Sequence, residues 1–187
     1  MNTVVLMGLP GSGKGTQAKV LAESQKWLHF STGDRFKALR DTDSPLGILV
    51  KEAYDAGKLL PDWFATFLFE EAVLTLPHGG GIVCDGYPRS LPQAHIFDET
   101  MHWLNRPYRV LNLVVSEAEA LRRQIERATV EHRPDSATEE QIKIRFEQYQ
   151  KNTEPLLTFF KEKGVLVDVD GQQSPDEVST AIKNALS

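Results

Sequence analysis

The 187-residue chain has very little cysteine: Cys84 alone, so an internal disulfide and any cysteine-rich zinc cluster are excluded. Cys84 sits in the apolar run Ile82-Val83-Cys84, where a buried thiol is expected rather than a reactive one. No apolar stretch comes near the roughly 18 residues of a membrane-spanning helix, so no membrane partner is expected. The N-terminus has no basic region followed by a cleavage site. No signal peptide is expected there, and a cytoplasmic location is the plain reading. There is no excess of positive charge: 21 Lys and Arg against 26 Asp and Glu give a net charge of −5. That argues against a nucleic-acid-binding surface while leaving room for a local basic site. Internal repeats, low-complexity tracts and interdomain linkers are also missing, and the length suits one α/β domain with a core of its own.

What is present is organised around Gly8-Leu9-Pro10-Gly11-Ser12-Gly13-Lys14-Gly15-Thr16. The apolar, β-branched run Val4-Val5-Leu6-Met7 before it reads as a buried strand, and the pattern of Ala18, Val20, Leu21 and Ala22 after it reads as a helix. A glycine-rich turn between strand and helix aims backbone N–H groups at one point. The helix dipole adds to that field, so the point attracts phosphate. Gly8, Gly13 and Lys14 fit the phosphate-loop spacing, but Gly15 stands where a serine or threonine is usual, and the hydroxyl comes one residue later on Thr16.

Further strands are expected at Trp27–Ser31, Ile82–Cys84, Val110–Val115 and Val165–Val169. Helices are expected between them: one carrying Arg35, Lys37 and Arg40, one started by Ser44 and Pro45 and running to Gly57, and one from Trp63 to Leu76 whose aromatic residues should mostly pack the core. Others follow at Leu91–Leu104, from Glu117 to about Arg127, from Thr138 with an interruption at Pro155, and after Ser174-Pro175-Asp176-Glu177. Ala128 to Ala137 reads as a loop. Alternation of strands and helices implies a parallel sheet covered on both faces. Asp85 then falls at the carboxyl end of a buried strand, where such sheets place ligands.

Three stretches coincide: the glycine loop extended to Gln17, Ser31-Thr32-Gly33-Asp34, and Asp85-Gly86-Tyr87-Pro88-Arg89-Ser90 with Gln93-Ala94. Together they resemble the adenylate kinase family over essentially the whole chain. The resemblance implies a phosphate-loop α/β fold in three layers, with a five-stranded parallel sheet in the order 2-3-1-4-5. It implies a single nucleoside monophosphate kinase domain: a core (1–30, 61–126, 138–187), a small monophosphate-binding arm (31–60) and a lid (127–137) of the short form, without zinc. The implied reaction is reversible transfer of the terminal phosphoryl group of MgATP to AMP, with Mg2+ as cofactor, ATP and AMP as small-molecule partners, and a monomer as the working unit.

The resemblance also implies roles. Lys14, Arg89, Arg123, Arg133, Arg145 and Asp85 would act on the reacting phosphates. ATP would be held by Gly11, Ser12, Gly13, Lys14, Gly15, Thr16, Arg123, Arg127 and Gln173. AMP would be held by Thr32, Lys37, Lys58, Leu59, Leu60, Gly86, Arg89, Gln93, Arg133 and Arg145. Asp85 and Asp34 would hold magnesium through water. The chain departs from the family in the arm: Lys37 replaces an arginine, Arg35 an apolar residue, and Trp63-Phe64 an acid followed by an aliphatic residue. Lysine cannot make the two-pronged phosphate contact. Arg40, three residues on, is a candidate to compensate. A UMP or CMP kinase and a weakly catalytic nucleotide sensor stand as alternatives. Thr32 and Gln93 lean against the first, and the retained cations against the second.

Overall fold

The structure, a computed structural model, describes residues 1–56, 58–131 and 139–186, with the side chains of 127–131 and 139 left out of the description. Five strands run through it: β1 (Thr3–Met7), β2 (Leu28–Ser31), β3 (Ile82–Asp85), β4 (Tyr108–Val114) and β5 (Leu166–Asp170). All pair in parallel, in the order β2-β3-β1-β4-β5, as the resemblance implies. β1 suits the centre of the sheet: every residue from Thr3 to Met7 is buried, and all but Thr3 are apolar. The order reverses on either side of β1, so its carboxyl end opens into a crevice between the outgoing connections.

Helices cover both faces. α1 (Lys14–Gln25) and α9 (Pro175–Leu186) pack on one, burying Val4, Leu6, Val83, Leu111 and Leu113 with Ala18, Leu21, Val178 and Ile182. The other face carries α4 (Asp62–Leu74), α5 (Leu91–Trp103) and α8 (Pro155–Glu162), around Phe30, Phe69, Tyr87, Phe97 and Phe160. Within that second core, Phe69 stacks on Tyr87 with centroids 4.6 Å apart and meets Phe30 edge-on at 5.7 Å. These are the geometries that aromatic quadrupoles favour. α2 (Thr32–Arg40) and α3 (Pro45–Asp55) fall in the segment 31–60 expected to be the arm. Ser44 caps α3, accepting from the Gly47 N–H at 3.0 Å with Pro45 in the first turn, as expected. Ser174 and Glu177 close the start of α9, the Ser174 N–H reaching the Glu177 carboxylate at 3.0 Å.

Two expectations need correction. Of the aromatic residues of α4 only Phe64 and Phe69 reach the core; Trp63 is 69% exposed and Phe67 55%. Trp63 and Phe67 are four residues apart, so they share the outer face. α6 (Glu117–Glu131) extends beyond Arg127 into the stretch read as loop. Ala128-Thr129-Val130-Glu131 contains no glycine or proline, so nothing local stops the helix there. The rest of that expected loop, with Gly57 and Thr138, lies outside the described residues. α7 (Glu139–Gln148) leads into a π-type turn (Tyr149–Thr153), in which the Glu154 N–H reaches back five residues to the Tyr149 carbonyl. Pro155 then opens α8, so the expected interruption is a widened turn followed by a fresh helix start.

Candidate active site

A cleft of about 680 Å³ opens at the carboxyl ends of β1, β2 and β3. One wall is the glycine loop. Gly11 has a φ of 93°, and a Cβ there would run into the Ala120 carbonyl, so only glycine lets the loop press against α6. The Ser12 N–H donates to the Leu9 carbonyl at 3.0 Å. Lys14 Nζ donates to the Gly8 carbonyl at 2.7 Å, the Leu9 carbonyl at 2.8 Å and Ser12 Oγ at 3.4 Å. The ammonium thus lies across the loop, on the cleft side. Ser12 is itself buried and supports the loop from beneath instead of lining the cleft.

The substitution at Gly15 has a physical reason. A Cβ at that position would stand 3.2 Å from Asp85 Oδ2. The room a serine would take is where the carboxylate from β3 comes in. Asp85 and Asp34 both line the cleft. Asp34 is in the first turn of α2, where its N–H donates to the Ser31 cap at 3.2 Å. Among the described residues no group of three His, Cys, Asp or Glu side chains could hold a metal alone. The donor set present is therefore one that fits a magnesium ion arriving with phosphates and keeping its water, with carboxylates at its outer shell.

Arg89 is fixed at several points. Its Nε donates to the Gly86 carbonyl at 2.7 Å, and its backbone N–H donates to Gln93 Oε1 at 2.8 Å. Thr153, from the π-type turn, donates to the Arg89 carbonyl at 3.0 Å. Gly86 also accepts from Thr32 Oγ1 at 2.8 Å, which ties the start of α2 to the segment after β3. Arg123 is held by Glu119 through Nε at 2.6 Å and by the Gly171 carbonyl through Nη1 at 3.0 Å. Hydrogen bonds from Arg122 and Arg123 pull the Glu119 carboxyl down to about 2. Arg145, in the last turn of α7, faces the same cleft with Gln148 and Tyr149. Burial raises the Tyr149 hydroxyl to about 12, so it stays neutral near physiological pH.

The cleft therefore brings together Gly11, Gly13, Lys14, Gly15, Thr16, Asp34, Thr32, Lys58, Leu59, Leu60, Asp85, Gly86, Arg89, Gln93, Arg123 and Arg145. Lys37 is exposed on α2 and does not line it, and neither does Gln173, exposed in the loop after β5. Arg133 and the Arg127 side chain fall outside the described residues. Arg40 does not line the cleft either. Its guanidinium bonds Asp41 at 2.8 Å, approaches Asp55 at 3.6 Å and lies over the Tyr54 ring at 5.1 Å, all within the arm.

Several cleft residues escape sequence reasoning. Thr153 and Tyr149 depend on a π-type turn that no local pattern announces. Phe36, stacked on Phe64 with centroids 5.9 Å apart, lines the cleft without belonging to any of the motifs. Glu119 had a usable signal, an acid four residues before Arg123 on one helix.

The family model for adenylate kinase matches residues 6–165. Adenylate kinases of Cyanothece sp. and Maricaulis maris are each 39% identical to the chain, the first over 100% of this chain and 95% of its own length, the second over 98% and 97%. The Leptospira biflexa adenylate kinase is 34% identical over the full length of both.

Proposed function

The chain belongs to the adenylate kinase family and carries out its reaction, ATP + AMP to 2 ADP; we propose that it does so by clamping phosphates with cations and closing over them, with no general base. The observation that supports this reading is the convergence in one cleft of Lys14, Asp85, Arg89, Arg123 and Arg145 with Thr32 and Gln93.

The acceptor is a phosphate monoester, with a second pKa near ~6, so at neutral pH it is already largely the nucleophilic anion. The work left is to bring two polyanions together in line and to offset their charge. Lys14 leaves its loop carbonyls for the outer phosphates of ATP. Arg89, held by Gly86, Gln93 and Thr153, presents its remaining guanidinium N–H groups to the transferring and accepting phosphates. Arg123, anchored by Glu119, and Arg145 approach from the α6–α7 side, joined in this proposal by Arg127 and Arg133 from the lid at 127–137. Asp85 and Asp34 would hold magnesium through water, and the ion supplies charge neutralisation at the phosphates. Thr32, the Lys58–Leu60 backbone and Gln93 receive the AMP base and ribose. Lid closure keeps water from taking the phosphoryl group. The enzyme in this reading is a cytoplasmic monomer.

The experiment is ADP release, coupled to a reporter reaction, from MgATP with AMP, CMP or UMP. Rapid turnover with AMP is expected. Preference for CMP or UMP would move the chain to the pyrimidine acceptors, and binding without turnover would make it a sensor.

A further inference from the structure

Gln93 is 2% exposed, and its amide is bonded on both ends. Oε1 accepts from the Arg89 N–H at 2.8 Å, and Nε2 donates to Asp62 Oδ1 at 2.6 Å. The same Asp62 oxygen accepts from Ser90 Oγ at 2.8 Å. A carboxamide can usually turn over, exchanging donor for acceptor, at little cost. Here both partners have a fixed sign. A backbone N–H can only donate, and a carboxylate can only accept. Turning the amide over would set Oε1 against the carboxylate oxygen and the NH2 against the Arg89 N–H, leaving two mismatches in a buried place.

This matters because Gln93 lines the cleft with one N–H and one oxygen lone pair still available. Adenine offers a ring nitrogen acceptor beside an amino donor. A 6-oxo purine offers a ring N–H donor beside a carbonyl acceptor, the reverse order. The amide as fixed suits one order, and the amide turned over suits the other. We propose that Asp62 is a positioning residue for base selection: its carboxylate locks the Gln93 amide in the sense that accepts adenine and refuses 6-oxo purines. Asp62 does not line the cleft, so it acts only through Gln93 and Ser90. The proposal rests on the AMP-acceptor reading and adds to it a reason why one orientation of a two-faced group prevails.

The test uses the full chain with MgATP and compares AMP with its 6-oxo analogue, inosine monophosphate, as acceptor. Asp62→Asn removes the fixed sign, since an amide at that position can donate or accept. The ratio of kcat/KM for AMP to that for inosine monophosphate is expected to fall at least about tenfold, mainly through KM, with kcat for AMP within about threefold of the parent. Asp62→Glu, which keeps the carboxylate, should recover most of the ratio. If Asp62→Asn does not fold, Asp62→Ser carries the same test, because a hydroxyl accommodates either orientation. In a Gln93→Ala background Asp62→Asn should leave the ratio where Gln93→Ala alone puts it. An unchanged ratio in Asp62→Asn, or an equal loss for both acceptors, overturns the proposal. A parent that prefers CMP or UMP would instead fail the AMP reading itself, which separates the two.

Discussion

The two sides of the cleft are built differently. On the side proposed for ATP, Lys14 lies across the loop carbonyls and Arg123 is held between Glu119 and Gly171. On the side proposed for AMP, the base end is tied by Thr32 to Gly86 and by Gln93 to Arg89 and Asp62. The phosphate end of the arm is not. Lys37 is exposed away from the cleft, and Arg40 is bound into the arm through Asp41, Asp55 and Tyr54. The contrast teaches that identity and grip are separate problems. Which monophosphate enters depends on fixed groups, because a wrong base leaves buried polar atoms unpaired. In the proposed reading, how tightly its phosphate is held depends on Lys37, and a lysine grips with one prong where an arginine has two.

Four substitutions probe that contrast, the largest effect first. Arg89→Lys should lose at least ~100-fold in kcat, since removing one fixed donor to a transition-state charge costs roughly 3 kcal/mol. Its melting temperature should stay close to the parent's, and near-normal turnover would remove Arg89 from the mechanism. Lys37→Arg should lower the AMP KM by about tenfold, the low end of the roughly 1.5–3 kcal/mol of a charge-assisted hydrogen bond. It should leave the ATP KM and the ranking of acceptors alone; an unchanged AMP KM would mean that the phosphate end is gripped by other groups. Gly15→Ala would set a methyl group 3.2 Å from Asp85 Oδ2. A roughly tenfold drop in kcat/KM for MgATP is expected from such a small misplacement, with the AMP KM unmoved. A change confined to AMP would reverse the assignment of the two sides.

The smallest effect is electrostatic. Hydrogen bonds from Arg122 and Arg123 depress the Glu119 carboxyl from 4.5 to about 2. A depressed carboxylate contributes stability above its unfolded value and loses it as pH falls through the folded one. The stability difference between parent and Glu119→Gln should therefore be constant from neutral pH to about 4.5, then shrink towards pH 2. Because these groups are partly open to solvent the difference is small, and urea melts at several pH values would follow it. A difference that grows on acidification would contradict the sign.

Much of the donor side is legible in sequence because its signals are local. Strand, glycine loop and helix follow one another within Thr3–Gln25, and the apolar runs of five strands carry the sheet order once the family is recognised. The acceptor side is legible as residue types but not as partners. Nothing near Gln93 in the chain points to Asp62, and nothing near Arg40 says that its guanidinium will be taken up by Asp55 on the next helix. Those pairings exist only after α2, α3, α4 and α5 have packed. The outward turn of Trp63 and Phe67 was within reach of a spacing argument, since residues four apart share a helix face.

The backbone of the glycine loop is expected to be set before substrate arrives, with only the Lys14 ammonium turning to the phosphates, whereas the arm and lid are expected to complete the site by closing on it. Backbone amide exchange with and without a bisubstrate mimic, two adenosines joined through a phosphate chain, tests this most directly. Slowing of at least about tenfold is expected in residues 31–60 and 128–137, with much smaller change in the β1 and α1 amides that are already in the core. Equal exchange in the arm and lid with and without the mimic would contradict closure, and with it the division of labour between the two sides.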